Sequence, residues 1–431
     1  MLSDVRTLRL EEAPTTETSA SSSREVTSRL SGAGDVKEGY DTESYLTRSR
    51  SLQTRIGSPA DLRSRRPIHR SGLPDVPVPQ DNPLTAEKIA LGRDLFYDRR
   101  LSLNDTFSCA MCHIPEQGFT SHELATAVGI EGRTVRRNSP TLFNVAYAER
   151  LFHDGREHTL EQQVWGPLLA HNEMGNPSVG ALLEKIGRLS DYAGRFEAVF
   201  GRGPSMETLG MALASYERTL VAADSPFDRW YYGGDEAAVS SRAKRGFELF
   251  TGRAGCATCH VIERDHALLT DHRLHNTGLG FSRAMGVDPG TMKILVAPGT
   301  YIEVRRELIE SVSETPPGDP GLYEITQDPA DRWKYKTPTL RNVSLTAPYM
   351  HDGSLATLTD VVEFYDRGGV PNENLSPLLR PLGLDSADKA ALVAFLESLT
   401  GTTVDVPVAD AFAARIGDTK ADDQHRFGGP E

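Results

Sequence analysis

The sequence predicts a mainly α fold in two halves built on one plan, with few short strands. Three observations carry that expectation. The pentapeptide Cys109-Ala110-Met111-Cys112-His113 returns as Cys256-Ala257-Thr258-Cys259-His260, and the two copies use all four cysteines of the chain. A stretch of helical periodicity leads into each copy. Downstream of each lies a second repeated segment: residues 139–164 and 337–362 align without gaps, with 11 of 26 positions identical. The simplest account is a duplicated unit with an insertion in its second copy.

Two thiols separated by two residues, with histidine directly after, form the attachment sequence for c-type haem. Each thiol can add to a vinyl group as a thioether, and the adjacent imidazole can bind the iron from one side. A redox disulfide or half a zinc site are the competing readings of a lone pair of this kind. The two pairs of one four-cysteine zinc site usually stand about 15–20 residues apart. Cys112 and Cys256 are far more widely separated, and neither alternative calls for the histidine that follows each pair. The chain therefore reads as two cytochrome c-like haem domains related by internal duplication.

Residues 1–80 read as a disordered polar tail, with runs such as Thr18-Ser19-Ala20-Ser21-Ser22-Ser23 and little apolar content. The N-terminal haem domain spans 81–238. Order begins near Asn82-Pro83-Leu84, and Thr85 caps a helix to about Tyr97 with Ile89, Leu91, Leu95 and Phe96 on its apolar side. The first haem motif follows, then a polar, Gly-rich stretch through Arg137. Thr159 and Gln162 have capping-box spacing, so a helix starts there. Further helices are expected at about 178–188, 191–200 and 205–221. The C-terminal haem domain spans 239–402, with a helix from Ser240 to Phe250 leading into the second motif. An irregular insertion covers about 264–336, and helices follow at 357–366 and 386–399. Residues 403–431 read as a polar C-terminal tail.

The formal net charge of -13, from 60 acidic and 47 basic residues, argues against nucleic-acid binding. It suits a small electron-transfer partner steered by charge. No run of 18 apolar residues is present, so no transmembrane segment is expected. The first 75 residues lack the apolar run of a signal peptide. Haem attachment belongs outside the bacterial cytoplasm, and the motifs outweigh that absence, so a periplasmic location is expected.

In the register of the repeat, Pro167 aligns with Tyr365. Leu358, Val361, Val362 and Tyr365 share one helical face, which points Tyr365 into the core beside a haem. A phenolate oxygen is a competent iron ligand, whereas proline has no side-chain donor. One iron would then be closed by tyrosine while the other keeps an open position. On periodicity alone, an ordinary core tyrosine and an ordinary helix breaker are the stronger reading.

Residues 82–401 resemble the bacterial dihaem cytochrome c peroxidases and the related MauG proteins. The likeness rests on Asn82-Pro83-Leu84 through Leu91-Gly92-Arg93, both haem motifs, Gly132 to Tyr147, Asn172-Glu173-Met174-Gly175, and Thr337 to Gly369. It implies that the N-terminal haem is the peroxide site with His113 as proximal ligand. Glu173 matches the distal acid/base glutamate, and Gln163 and Pro167 match distal-pocket residues. His260 matches the proximal ligand of the second haem. The other ligand there is Met in typical peroxidases and Tyr in MauG, so Tyr365 places the chain on the MauG-like branch. Asn138, Thr346 and Pro348 match positions whose oxygens bind calcium between the haems.

Two departures stand out. Many peroxidases carry a switchable histidine near the position of Gly129, where none stands here; His122 nearby reads as a surface histidine. The tryptophan that well-studied members place between the haems is His153 here, which redirects electrons to another route, Trp165 being one candidate. Three functions are consistent with these residues. The first is a MauG-like enzyme that reduces hydrogen peroxide and uses the high-valent dihaem state to oxidise a protein substrate or electron donor. The second is a peroxide-scavenging peroxidase fed by a small cytochrome c or copper protein. The third is a non-enzymatic dihaem electron carrier. Tyr365 favours the first over the second, and an open first iron beside Glu173 favours either enzyme over the carrier. Typical peroxidases of the family form homodimers.

Overall fold

A computed structural model describes residues 59–60, 62, 72–286, 290–297, 300–305, 308 and 318–414. Helices dominate, and the strands are few and short. The expected N-terminal tail lies outside these residues up to 58. Within it, however, Leu62 and Leu73 are buried in apolar clusters.

The helix before each haem motif packs on a later helix of its own half. Ala86–Tyr97, capped by Thr85 as expected, lies against Met206–Glu217. Ser241–Thr251, capped by Ser240, lies against Ser386–Glu397. A glycine allows each close approach. A Cβ on Gly92 would stand 1.9 Å from the Ala212 carbonyl oxygen, and one on Gly246 would stand 2.0 Å from that of Ala391. Two large apolar clusters surround these crossings. One runs from Leu62 to Ala222 and the other from Phe227 to Leu399.

The repeated segments share their backbone geometry position by position. Asn144 and Asn342 both adopt left-handed conformations, with φ of 63° and 61°. Each is followed by a 3-10 turn, Val145–Tyr147 and Val343–Leu345. Isolated bridges then join Leu151 to Glu157 and Tyr349 to Leu355. Thr159 and Thr357 each cap the helix that follows, the first accepting the N–H of Gln162. There the copies part. The first is interrupted at Val164 between Leu160–Gln163 and Trp165–Leu169, although Val164 keeps helical φ and ψ of -56° and -23°; Pro167 lacks the N–H that would continue the ladder to Gln163. The second runs unbroken from Leu358 to Asp366 and includes Tyr365.

Three regions hold more order than the sequence suggests. The insertion contains an antiparallel pair, Leu274–Asn276 with Lys334–Lys336, and a hairpin, Thr291–Ala297 with Thr300–Arg305. Pro226–Tyr231 forms a helix whose capping box joins Ser225 and Asp228. Asp228 also holds Arg341 in a buried ion pair at 2.9 Å. The expected C-terminal tail instead makes a helix, Asp405–Ala411, before residue 415. Its Asp410 pairs with buried Arg93 at 2.7 Å and accepts the N–H of Ala60, and these bonds hold it on the first half.

Gly92→Ala and Gly246→Ala should each lower stability by about 1–3 kcal/mol, because a carbonyl oxygen cannot turn aside as a side chain could. Gly187 sits in the Val179–Arg188 helix with nothing within 4 Å of its would-be Cβ, so Gly187→Ala should raise stability slightly. Denaturant midpoints of the three variants check the contrast.

Candidate functional site

Each haem motif closes a 3-10 turn, Cys109–Met111 and Cys256–Thr258. The turn brings the histidine back over the first cysteine: His113 N–H donates to the Cys109 carbonyl at 3.0 Å and His260 N–H to that of Cys256 at 2.9 Å. The ring nitrogens are also fixed. His113 Nδ1 lies 3.1 Å from the Phe119 carbonyl, and His260 Nδ1 lies 2.8 Å from that of Leu269. With Nδ1 as donor, Nε2 keeps its lone pair for a metal. Phe119 and Leu269 both reach this position in left-handed conformations, each with φ of 54°. Burial holds both imidazoles below their ordinary range, hence neutral and able to ligate. None of the four cysteines is in a disulfide. Burial pushes Cys112 up to about 12 and Cys256 and Cys259 to about 11, and raises Cys109 as well. The donor set fits covalently attached haem.

A cavity of about 530 Å³ opens beside the first motif. Cys109, Cys112, His113, Gln163, Pro167 and Glu173 all line it. Burial raises the Glu173 carboxyl above its ordinary range, and Arg156 opposes this. Arg156 lies over the Phe152 ring at 3.5 Å and pairs with Asp154 at 2.7 Å. Gly129 packs against the glutamate's backbone: a Cβ there would stand 2.1 Å from the Asn172 carbonyl oxygen and 2.7 Å from Glu173 Cα. No side chain, histidine included, fits at 129 in this arrangement.

At the second motif, burial raises the Tyr365 phenol, and charge on Cys259 and Cys256 would raise it further, so Tyr365 stands near both thiols. His275 Nε2 lies 2.8 Å from Asp271 Oδ2 and 3.8 Å from Cys259 Sγ. These three are the only His/Cys/Asp/Glu cluster among the described residues close enough to share a metal. A thioether at Cys259 would remove that sulfur from such a site.

Asn138, Thr346 and Pro348 are less clearly joined. Asn138 N–H donates to the His351 carbonyl at 2.8 Å, and its side-chain amide donates to that of Ala125 at 2.9 Å. The Thr346 hydroxyl donates to the Val343 carbonyl at 3.0 Å, and Pro348 follows a cis peptide bond. His122 is not a bare surface group. It is half-buried, with Nε2 2.7 Å from the Leu345 carbonyl of the second half. His153 lines the cavity with Nε2 2.9 Å from the Asn138 carbonyl, and burial drives it down to about 3. Trp165 is buried in the first apolar cluster and does not line the cavity.

Sequence reasoning missed two charged residues that line the cavity, Glu217 and Lys336. Glu217 is 5% exposed, and its Oε2 has no hydrogen-bond partner. A signal existed, since Met206–Glu217 is buried almost all round and ends on an acid. Burial raises Glu217 from 4.5 to about 8, against the pull of Arg218. The folded chain therefore holds this proton more tightly than the unfolded one. The resulting stability is complete below about 4.5 and is lost as pH rises through about 8. Glu217→Gln should melt close to wild type at pH 5 and above it at pH 8, which thermal scans of the holoprotein at both pH values would show.

The profile described as di-haem cytochrome c peroxidase matches residues 86–237. Cytochrome-c peroxidase IdrP1 of Denitromonas iodatirespirans is 39% identical over 334 residues, covering 77% of this chain and 86% of that protein. Methylamine utilization protein MauG of Methylorubrum extorquens is 39% identical over 329 residues, covering 75% and 81%. A solved MauG-like protein associated with microbial copper homeostasis superposes with a TM-score of 0.63 at 30% identity, over 80% of this chain and 97% of that one. The family's two c-type haems match the two attachment turns. The chain is thus a member of the di-haem cytochrome c peroxidase and MauG family, an oxidoreductase with peroxide as acceptor.

Proposed function

We propose that the chain is a MauG-like peroxidase in which residues 81–238 form the peroxide domain and 239–402 an electron-transfer domain derived by duplication. The carrying observation is the divergence of two otherwise matching segments. Pro167 lines the cavity of the first motif, and at the matching place in the second half Tyr365 is a phenol raised by burial and within electrostatic reach of the Cys256 and Cys259 thiols.

Bound haem supplies an iron at which peroxide can be reduced, and takes on the two oxidising equivalents that result. Everything else falls to the chain. His113, locked through Nδ1, would ligate the iron, and Pro167, which lines the same cavity, offers no side-chain donor to compete with peroxide. Glu173 takes the proton from the near peroxide oxygen and returns it to the far one, which departs as water. A carboxyl raised by burial suits both halves of that transfer. Gln163 orients the bound peroxide. Tyr365 would hold the second iron through its phenol oxygen, an anionic ligand that would favour the oxidised states. Two electrons from outside, with two protons, complete the conversion of one peroxide to two waters.

The source of those electrons separates the two enzyme readings. A protein residue as donor gives the MauG-like function. A small cytochrome c or copper protein gives a scavenging peroxidase, which the equal 39% identity to IdrP1 supports. We further assign a calcium ion between the haems to oxygens of Asn138, Thr346 and Pro348, and a periplasmic location to the mature protein. No helix among the described residues is long and apolar enough to cross a membrane.

The resting ferric protein should show one high-spin and one low-spin haem by electron paramagnetic resonance; two low-spin haems would refute the assignment. Glu173→Gln should slow single-turnover peroxide consumption by about 10²–10⁴-fold with both haems still attached. Unchanged kinetics would remove Glu173 from the reaction. Tyr365→Met should raise the midpoint potential of the second haem, since a thioether ligand favours the ferrous state. An unmoved redox titration would leave Tyr365 as packing alone.

A further inference from the structure

Lys336 ends the strand Lys334–Lys336, which pairs with Leu274–Asn276. Alternation along the strand separates its side chains. Tyr335 is buried and stacks on His351, with ring centroids 3.7 Å apart and planes 15° from parallel. Lys334 is matched by Asp331 at 2.9 Å. Lys336 lines the cavity of the first haem motif, although it belongs to the second half of the chain. Its backbone fixes it there, because its N–H donates to the His153 carbonyl at 2.7 Å.

The other cations that line this cavity have carboxylate partners. Arg137 pairs with Asp154 and Asp319, both at 2.6 Å. Arg156 shares Asp154, Arg341 is held by Asp228, and Arg136 by Glu324. The Lys336 amine has no acidic partner and no hydrogen-bond acceptor among the described residues. Burial alone acts on it, lowering it to about 8 with no neighbour to support the charge. Lys336 is half-buried and faces the cavity, and an ammonium partly withdrawn from water without a counter-ion is costly to keep. An anion arriving in the cavity would offset that cost.

The group attached at Cys109 and Cys112 brings that anion, since haem carries two propionate carboxylates. We propose that Lys336 Nζ anchors a propionate of the first haem, so that the second half of the chain supplies a charge contact to the cofactor of the first. The inference rests on a haem at Cys109 and Cys112, but not on any step of peroxide reduction. A cation beside a propionate favours the reduced, less positive iron. Removing it lowers the potential of that haem.

The test uses the full-length holoprotein and its Lys336→Met and Lys336→Arg variants. Haem per chain is measured first, followed by spectroelectrochemical titration of the high-spin and low-spin haems separately. Lys336→Met should lower the midpoint of the first haem and leave the second in place, and Lys336→Arg should restore it. An unmoved first haem, or a shift confined to the second, would overturn the proposal. A measurement on the unaltered protein guards against a variant that fails to mature. The propionate bending band of the five-coordinate haem should shift between H2O and D2O in resonance Raman spectra, and a band that stays put also rejects the contact. Neither readout uses peroxide, so failure of the Glu173 assignment would leave this test intact.

Discussion

The hydrogen bond from each motif's imidazole to a main-chain carbonyl is the constraint on which the rest of the site depends. A Cys-x-x-Cys-His turn brings a histidine near its thiols but does not decide how the ring is turned. The Nδ1 contacts to Phe119 and Leu269 decide it, and with Nδ1 as donor leave the lone pair on Nε2. To offer those carbonyls, a phenylalanine and a leucine adopt a backbone conformation that bulky residues avoid. Both side chains are fully buried, so packing keeps them there. The imidazoles are thus held alike in both halves. What distinguishes the two halves has to be sought in other residues.

The first cavity follows a consistent electrostatic logic. Arginines of its lining are neutralised by carboxylates, as Arg137 is by Asp154 and Asp319. The same lining holds groups whose charged forms are disfavoured: Glu173 and Glu217 are raised by burial, and Lys336 is lowered. A protein core that merely needed stability would replace such groups with apolar ones. Their retention suits a space filled by a charged cofactor and crossed by protons. Glu173 and Glu217 line the cavity together with Gln163 and Pro167, and charge on either would raise the Cys109 thiol.

Local chemistry was legible in the sequence, and long-range chemistry was not. The haem turns, the caps at Thr85, Thr159 and Thr357, and the long helices all follow from residues within a few positions of one another. Glu173 and Tyr365 were reached through register and resemblance. Lys336 was hidden because Lys334-Tyr335-Lys336 reads as an ordinary alternating strand, and only its bond to His153 aims it at the first motif. Asp410 looked like part of a solvated tail. Its partner Arg93 lies more than 300 residues away, and no pattern in either stretch announces the pair. The short helix Pro226–Tyr231 depends in the same way on Asp228 meeting Arg341.

The two halves show how a shared scaffold can yield unlike sites. The matching segments keep their left-handed asparagines, their turns, their bridges and their threonine caps. They differ where one helix breaks at Val164 and the other continues to Asp366. In the broken copy, position 167 offers a pyrrolidine ring that can donate nothing to a metal. In the unbroken copy, the matching position offers a half-buried phenol with no hydrogen bond to its hydroxyl among the described residues. A tyrosine with its oxygen turned from water ordinarily finds a partner for it. An iron ligated by His260 would supply one at position 365, and position 167 has no group that could do the same.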